Sequence, residues 1–450
     1  MATLKGDKRY QHHEAKTRQA TVIIVGAGPV GLLTALRLGK NGINTIVLEA
    51  HTELLPLYRA MVYMPVVLPA LDSLGILEKL KEQGFLNWEG VSWRDRDGKE
   101  LAHLILESDT PGEFGGVLLI GQAKMNAIIL EELKSYPSVE VIFGMRAVGI
   151  DDNPSNNFVK LMCHTKSQVD ADVFFESKYI LGTDGANSTI RRMSCIPFEG
   201  MTYQEFTMIG CDVLYDFVKE QGFKPVNFIV HPEDWAVIAY TGDDIRGKPQ
   251  FRIAYVEPPD LPADKASCIE RASKRIPRYM EGKTGFEVTR AEPYLLHQRC
   301  AAQARKGRVM LAGDALHSNN PIGGLGLTGG ILDAFVFGNA FVRVINGGEE
   351  DQLLTECGAS RRDAWLNVTN KLSKTNLHRL KDVDSDGIKA REEFFWKLRN
   401  EPGFASKMRE GFNQMLPKTY EKLEREDSGI RMEAKFRGAN LKEEPQLVQK

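Results

Sequence analysis

The stretch that decides the fold is residues 21–50, which read TVIIVGAGPVGLLTALRLGKNGINTIVLEA. It opens with an apolar, β-branched run of the kind found in strands that are buried on both faces. A glycine-rich turn then leads into leucines at helical spacing, and Asn41-Gly42 is typical of a helix end. A second β-branched run follows, so the stretch predicts a β-α-β unit of about thirty residues.

The glycines of the turn have separate physical roles. Gly26 permits the tight turn out of the strand, Gly28 lets backbone amides approach a pyrophosphate, and Gly31 lets helix and strand pack closely. The helix N-terminus supplies unpaired N–H groups and the positive end of its dipole. Glu49 ends the second strand, where an acid binds ribose hydroxyls and disfavours a 2′-phosphate. We therefore predict a dinucleotide site for FAD or NAD rather than NADP. The alternative is a chance glycine-rich turn.

Two more glycine-rich segments lie downstream. YILGTDGANSTIRR (179–192) is a strand followed by Asp184-Gly185. GRVMLAGDALHSNNPIGGLGLTGGILDAF (307–335) is a strand ending at Gly313-Asp314, followed by a glycine-rich loop that enters a helix. A carboxylate at a strand end accepts hydrogen bonds from ribose-type hydroxyls, and such a helix start suits a phosphate or the pyrimidine side of a flavin.

In this order the three segments resemble the GxGxxG, DG and GD motifs of the single-component, class A FAD-dependent monooxygenases of the para-hydroxybenzoate hydroxylase type. The resemblance covers about residues 20–340. It implies an α/β fold in which a Rossmann-like FAD-binding domain is interleaved with an antiparallel-sheet substrate domain and followed by a helical C-terminal region. It also implies non-covalently bound FAD. NAD(P)H would visit transiently, because the sequence has one nucleotide fingerprint rather than two.

The resemblance assigns one group of residues to FAD, from the ADP half through the phosphates and ribityl chain to the flavin: Gly26, Gly28, Gly31, Glu49, Arg59, Gln122, Asp184, Asp314, Gly324, Gly326 and Leu327. The sequence departs from the family at Thr328, where many members have an asparagine beside the flavin. The GGLGLTGG version is similar to fungal tailoring monooxygenases, including those that act on indole alkaloids.

Four residues are candidates for catalysis: Arg192, Asp184, His231 and Tyr240. Asp184 either binds FAD-side groups and guides NAD(P)H or caps a turn. Arg192 either contacts a substrate oxygen or forms a surface ion pair. His231 and Tyr240 either line the substrate pocket or pack within the sheet. His317, inside the third motif, is expected to fix a loop.

Residues Met201–Val256 alternate apolar and polar side chains, which predicts an antiparallel sheet with one covered face. The predicted organisation is a flexible lead (1–20), an FAD-binding domain with an inserted hairpin (21–200 and 290–345), a substrate-domain sheet (201–289) and a helical region with a polar tail (346–450).

The bulk composition excludes several classes of protein. The net charge of −2 leaves no basic excess for binding nucleic acid. Six cysteines without a C-x-x-C pair argue against metal and disulfide sites and favour free thiols in the cytoplasm. The apolar stretches 22–39 and 329–347 contain charged residues, so we expect no membrane span. Both a monomer and a homodimer stay open.

The resemblance implies that FAD, NAD(P)H and O2 act through a flavin C4a-hydroperoxide. This intermediate would hydroxylate or epoxidise an electron-rich aromatic small molecule in secondary metabolism. One alternative is indole 2,3-epoxidation with rearrangement in alkaloid biosynthesis. The others are an FAD oxidase or dehydrogenase that inserts no oxygen, and a non-catalytic flavin-binding protein.

Overall fold

The computed structural model describes residues 17–55, 60–106, 114–165, 172–280 and 284–416. The strands are, in chain order, β1 (Arg18–Val25), β2 (Thr45–Glu49), β3 (Val62–Tyr63), β4 (Phe85–Asn87), β5 (Val91–Asp95), β6 (Glu100–Leu104), β7 (Val117–Leu119), β8 (Val139–Phe143), β9 (Met145–Asp151), β10 (Val159–Thr165), β11 (Asp172–Gly182), β12 (Phe198–Thr202), β13 (Thr207–Leu214), β14 (Val226–Val230), β15 (Ala236–Ile245), β16 (Lys248–Glu257), β17 (Glu287–Tyr294), β18 (His297–Ala301), β19 (Arg305–Lys306), β20 (Val309–Leu311) and β21 (His317–Ser318).

The helices are α1 (Pro29–Lys40), α2 (Leu68–Ser73), α3 (Leu77–Gln83), α4 (Gln122–Leu133), α5 (Thr189–Met193), α6 (Phe217–Gln221), α7 (Lys265–Arg275), α8 (Leu325–Ile345), α9 (Gln352–Ala364), α10 (Asn370–Lys381), α11 (Ser385–Asn400) and α12 (Phe404–Gly411). Short 3-10 segments occur at Pro65–Val67, Ile276–Tyr279, Gly313–Ala315 and Phe412–Met415, and a π-helical turn at Trp365–Thr369.

The first sheet is built around β1, whose last four residues are buried. β1 lies between β2 and β11 and is parallel to both, and β8 and β20 extend the parallel core on either side. The predicted β-α-β unit is confirmed as β1, α1 and β2. β1 begins at Arg18, so the last residues of the predicted flexible lead belong to a strand. Residues 1–16 of that lead lie outside the described part of the chain.

The second sheet has seven strands in the order β17-β13-β16-β15-β14-β5-β6. All neighbours are antiparallel except β14 and β5. The antiparallel sheet predicted from residues 201–256 is therefore confirmed. The structure differs at its edges. The hairpin β5–β6, assigned above to the FAD-binding domain, completes this sheet, and β17 runs past the predicted boundary at residue 289.

Helix α8 is the central helix of the core. It packs against α1, and the two approach closely because α8 has glycines at the contact. A Cβ on Gly330 would lie 2.8 Å from Val30 Cγ2, and one on Gly338 would lie 3.0 Å from Arg37 Cβ. Within the described ranges α8 is the one helix long and apolar enough to cross a membrane, yet 83% of its apolar window is buried inside the protein.

The helical C-terminal region consists of α9 to α12. α10 packs on β14 and α11 on β6, so these helices cover one end of the seven-stranded sheet. Their apolar side chains, among them Leu377, Phe395 and Phe412, join the same core cluster as Trp93 and Phe228 of the sheet. The polar tail expected at the end of the chain, residues 417–450, lies outside the described residues.

Candidate active site

A cavity of about 650 Å³ lies where the three glycine-rich segments meet the seven-stranded sheet. Nine of the residues assigned to FAD line it: Gly26, Gly28, Glu49, Gln122, Asp184, Asp314, Gly324, Gly326 and Leu327. Arg59 lies outside the described residues. Residues that are some 300 positions apart in the sequence thus face one space.

The three glycines of the first motif differ in what surrounds them. Gly26 has φ +110°, and a Cβ there would lie 2.6 Å from Thr183 O. Gly31 does not line the cavity; a Cβ there would lie 2.1 Å from Gly26 O, so its role is close packing. A Cβ on Gly28 would meet nothing within 4 Å. Because Gly28 borders the cavity, its missing side chain leaves room for a ligand against the backbone.

Three helices begin at the cavity, and each has glycine at its N-cap. The caps are Gly28 for α1, Gly121 for α4 and Gly324 for α8, and a glycine has no side chain that could accept from the first amides of its helix. The first N–H groups of a helix have no partner within the helix and carry a positive partial charge. Three such ends around one cavity form a site for an anion such as a pyrophosphate.

The carboxylate of Glu49 is fixed at the end of β2. One oxygen accepts a hydrogen bond from the Ala27 amide and the other from the His51 amide, both at 2.9 Å. Each carboxylate oxygen has a second lone pair for a ribose hydroxyl. Arg146 of β9 also lines the cavity and adds a positive charge. Arg146 has no recognisable sequence signal, because it lies in an ordinary strand without a motif.

Asp184 borders the cavity, but its carboxylate is engaged by the turn that follows. Oδ1 accepts from Ser188 Oγ at 2.5 Å, and Oδ2 accepts from the amides of Thr189 and Ile190 at 2.6 and 3.1 Å. Burial raises the pKa of Asp184, and these hydrogen bonds oppose the rise. The side chain therefore caps α5, as in the second of the two interpretations. Asp184 nevertheless lines the cavity, because the turn that it belongs to lies at the cavity's edge.

The arginine that joins two motifs is Arg191, the neighbour of the predicted Arg192. Arg191 is buried and donates to Ala315 O at 2.9 Å and to Ala186 O at 2.7 Å, with its guanidinium 3.7 Å from the centre of the Phe198 ring. It therefore ties the second motif to the third.

The other three catalytic candidates do not line the cavity. Arg192 is exposed and donates to Asn187 O at 2.7 Å. His231 Nδ1 accepts from the amide of Asp234 at 2.8 Å, which fixes a turn. Tyr240 donates to Asp244 Oδ1 at 3.0 Å. The four predicted catalytic residues are thus not brought together, because their side chains satisfy local backbone or surface partners.

The wall that faces the three motifs is one side of the seven-stranded sheet. Its apolar residues are Val226, Phe228, Val237, Ala239 and Ala254. Two polar residues lie among them, Arg252 and Tyr294. Arg252 Nη1 donates to the buried Asp212 Oδ1 at 2.8 Å. Burial raises the pKa of Tyr294 to about 12, with Arg252 opposing the rise. The sequence signal that could have identified this face is the alternation in FRIAYVE (251–257), in which Arg252 and Ala254 are two residues apart.

A buried ionic cluster supports the third motif from behind. Asp333 Oδ1 accepts from Arg361 Nε at 2.6 Å, and Oδ2 accepts from the Gly313 amide at 2.8 Å and lies 2.8 Å from His317 Nε2. Burial would raise the pKa of Asp333, but His317 and Arg361 outweigh it and lower the pKa to about 2. The cluster agrees with a loop-fixing role for His317.

The sequence of this chain matches known proteins over most of its length. The family described as "FAD binding domain" matches residues 19–371. The para-nitrophenol 4-monooxygenase of Pseudomonas sp. (strain WBC-3) is 35% identical over 81% of this chain and 88% of its own. The 6-hydroxy-3-succinoylpyridine 3-monooxygenase of Pseudomonas putida (strain DSM 28022 / S16) is 34% identical over 80% of this chain and 88% of its own.

A solved structure agrees with the observed fold. The crystal structure of p-nitrophenol 4-monooxygenase PnpA from Pseudomonas putida DLL-E4 superposes with a TM-score of 0.82, at 31% identity, over 90% of this chain and all of the other. These relatives do not bear on the fungal or indole-alkaloid branch, which stays a prediction.

The residues of the cavity fit FAD on their own geometry. The open space at Gly28 and the glycine-capped helix ends suit the pyrophosphate, and Glu49 suits the ribose. With the family match and the relatives above, this fit identifies the chain as a member of the class A FAD-dependent aromatic monooxygenases.

Proposed function

We propose that the protein hydroxylates a phenol-type small molecule with NAD(P)H and O2. The observation that carries the proposal is that one cavity combines an FAD-fitting half with an apolar sheet face that holds Arg252 and Tyr294. The names of the two relatives, a nitrophenol and a hydroxypyridine monooxygenase, support a ring with a hydroxyl substituent.

The FAD half of the cavity would hold the cofactor by its charges and hydroxyls. The N-termini of α1, α4 and α8 would bind anionic groups, and Glu49 would accept ribose hydroxyls. Bound FAD supplies the activation of O2, which no side chain can supply. The protein contributes the position of the ring and a cavity wall that excludes water.

The substrate half would hold the ring between apolar side chains and its hydroxyl near the two polar ones. Tyr294 keeps its proton at neutral pH, as an ordinary tyrosine does, and burial raises its pKa further to about 12, so its hydroxyl is a hydrogen-bond donor. Arg252 is held by Asp212 and offers further N–H donors to a phenolic oxygen. Both groups stabilise negative charge on that oxygen, and a phenolate is the more electron-rich form of the ring.

The use of NAD(P)H is supported by the single nucleotide fingerprint of the sequence, which leaves the reductant to visit the cavity. The test is NADH and NADPH oxidation by the FAD-loaded protein with phenol, 4-nitrophenol or indole added, under 18O2. We expect a phenol to stimulate oxidation and one labelled oxygen to enter the product. Hydrogen peroxide with an unlabelled product would instead indicate an oxidase, and stimulation by indole alone would favour the epoxidation alternative.

A further inference from the structure

A second, smaller cavity adjoins the first on the side of the C-terminal helices. Phe228 and Gly323 border both cavities. Most of the remaining wall comes from β5, β6 and the C-terminal helical region, through apolar residues such as Trp93, Leu372 and Phe412. Its volume is about 40 Å³. That exceeds the roughly 10–15 Å³ that one water needs, and it is far below the ~150 Å³ of a cavity that takes a benzene ring. The space fits a substituent rather than a ring.

One charged side chain lines this small cavity. Arg379 of α10 lies with its guanidinium 3.7 Å from the centre of the Phe394 ring, and its Nη1 donates to Asn376 Oδ1 at 2.7 Å. Burial lowers the pKa of Arg379 to about 10, so it stays charged at neutral pH. Among the described residues no carboxylate forms an ion pair with it, whereas Arg252 in the larger cavity has Asp212. Arg379 is partly buried, and a charge that is withdrawn from water without a counter-ion is costly.

Asn376 connects this arginine to the third motif. It also lines the small cavity, and its Nδ2 lies 3.4 Å from Ile322 O. A Cβ on Gly323 would lie 2.5 Å from Asn376 Nδ2, so the glycine allows the amide to reach the border between the cavities. The guanidinium has five N–H donors in a planar fork, which matches a planar group with two oxygens.

We propose that Arg379, positioned by Asn376, binds a two-oxygen substituent, a carboxylate or a nitro group, of an aromatic ring held in the larger cavity against Phe228. This inference rests on the proposed function and narrows its substrate class to phenols that carry such a group. The alternative is an arginine that only stacks on Phe394, and it predicts no selectivity for the substituent.

The test measures equilibrium binding to the FAD-loaded protein without NAD(P)H, by calorimetry. The probes are 4-hydroxybenzoate, 4-nitrophenol and 4-methylphenol, which share a ring and a hydroxyl and differ in one substituent. We expect at least one of the two-oxygen probes to bind about 10- to 100-fold more tightly than 4-methylphenol. Arg379→Met should bring this ratio close to one. Arg379→Lys, which keeps the charge and loses the fork, should reduce the ratio for a nitro group more than for a carboxylate.

Arg399→Met is the matched control, because its guanidinium is exposed and donates to Leu101 O. It should leave the ratio unchanged. FAD content and melting temperature check that each variant is folded. Arg379→Met should not lower the melting temperature much, because it removes a partly buried charge that has no ion-pair partner among the described residues.

The inference is overturned if 4-methylphenol binds the wild type as tightly as both other probes, or if Arg379→Met keeps the preference. The proposed function fails in a different way, through the lack of labelled oxygen in any product. Binding selectivity and oxygen insertion are measured separately, so the two failures are distinguishable.

Discussion

At the scale of single residues, the glycines show that one residue type meets two different demands. Gly26 and Gly31 are required by the protein itself, since a Cβ at either position would lie within 2.6 Å of a backbone oxygen. Gly28 has open space around it and an ordinary φ of −74°. Its lack of a side chain therefore serves the ligand rather than the fold.

Gly28→Val should weaken FAD binding while leaving the fold intact. We expect the Kd for FAD to rise roughly 10- to 100-fold, because the valine side chain overlaps the space for the pyrophosphate. The stability of the protein without FAD should fall by about 1 kcal/mol or less, since valine is a poorer N-cap than glycine. Flavin fluorescence quenching measures the Kd and urea unfolding the stability.

Gly411→Val is the control for this substitution, because Gly411 also has open space and a negative φ of −56° but lies at the end of α12. Its Kd for FAD should equal that of the wild type. Equal FAD affinities in the Gly28 and Gly411 variants would contradict the assignment of Gly28.

At the scale of elements, the two faces of the seven-stranded sheet have different roles. Val237 and Ala239 of β15 line the cavity, whereas Ile238 between them joins the core cluster that includes Cys268 and Ala272 of α7. The period-2 pattern predicted this alternation. It did not predict which face lines the cavity, because that depends on the layers packed on either side.

The adjacent pair Val237 and Ile238 tests the two faces. Val237→Ala should raise the KM for the aromatic substrate up to about tenfold, since it removes two methyl groups from the cavity wall at ~0.8 kcal/mol each. Ile238→Ala should leave the KM of the folded enzyme nearly unchanged and lower the free energy of unfolding by about 2–5 kcal/mol. Steady-state kinetics and urea unfolding separate the effects. A larger KM effect from Ile238→Ala would mean that the assigned faces are reversed.

At the scale of the whole molecule, the cluster at Asp333 joins distant parts of the chain. Asp333 of α8 contacts the Gly313 amide, and Arg361 of α9 also donates to Met415 O at 2.6 Å. The folded-state pKa of Asp333 is about 2, below its ordinary value of 3.8. A carboxyl group whose pKa is lowered in the folded state stabilises the fold at pH values above its ordinary pKa. This contribution is lost as the pH falls from about 4 towards 2.

Acid should therefore destabilise the wild type through this group by on the order of 2 kcal/mol. Asp333→Asn should be less stable at neutral pH by about 3–5 kcal/mol, because Arg361 loses its buried counter-ion, and should lose less stability between pH 4 and 2. Urea unfolding across that range measures both effects. The exposed Glu356→Gln is the control and should follow the wild type. Identical pH profiles for Asp333→Asn and the wild type would rule out this role.

The fold and the FAD half of the site could be predicted from the sequence because their signals are local. A glycine turn between a strand and a helix has its meaning within about thirty residues. The substrate half depends on long-range packing. Arg252, Tyr294 and Arg379 reach their cavities only through the order of strands and the placement of the C-terminal helices. Arg191 and Arg192 illustrate the same limit, since adjacent positions on one short helix give one buried arginine and one exposed.

The three glycine-capped helix ends have a consequence for how much protein a cell maintains. Their caps lie at positions 28, 121 and 324, so an FAD molecule that spans them holds together segments from both ends of the family domain. A ligand that binds only the folded state adds RT ln(1 + [L]/Kd) to the free energy of unfolding. The abundance of this enzyme should therefore follow the supply of riboflavin, with scarcity of the vitamin reducing the number of molecules as well as their loading.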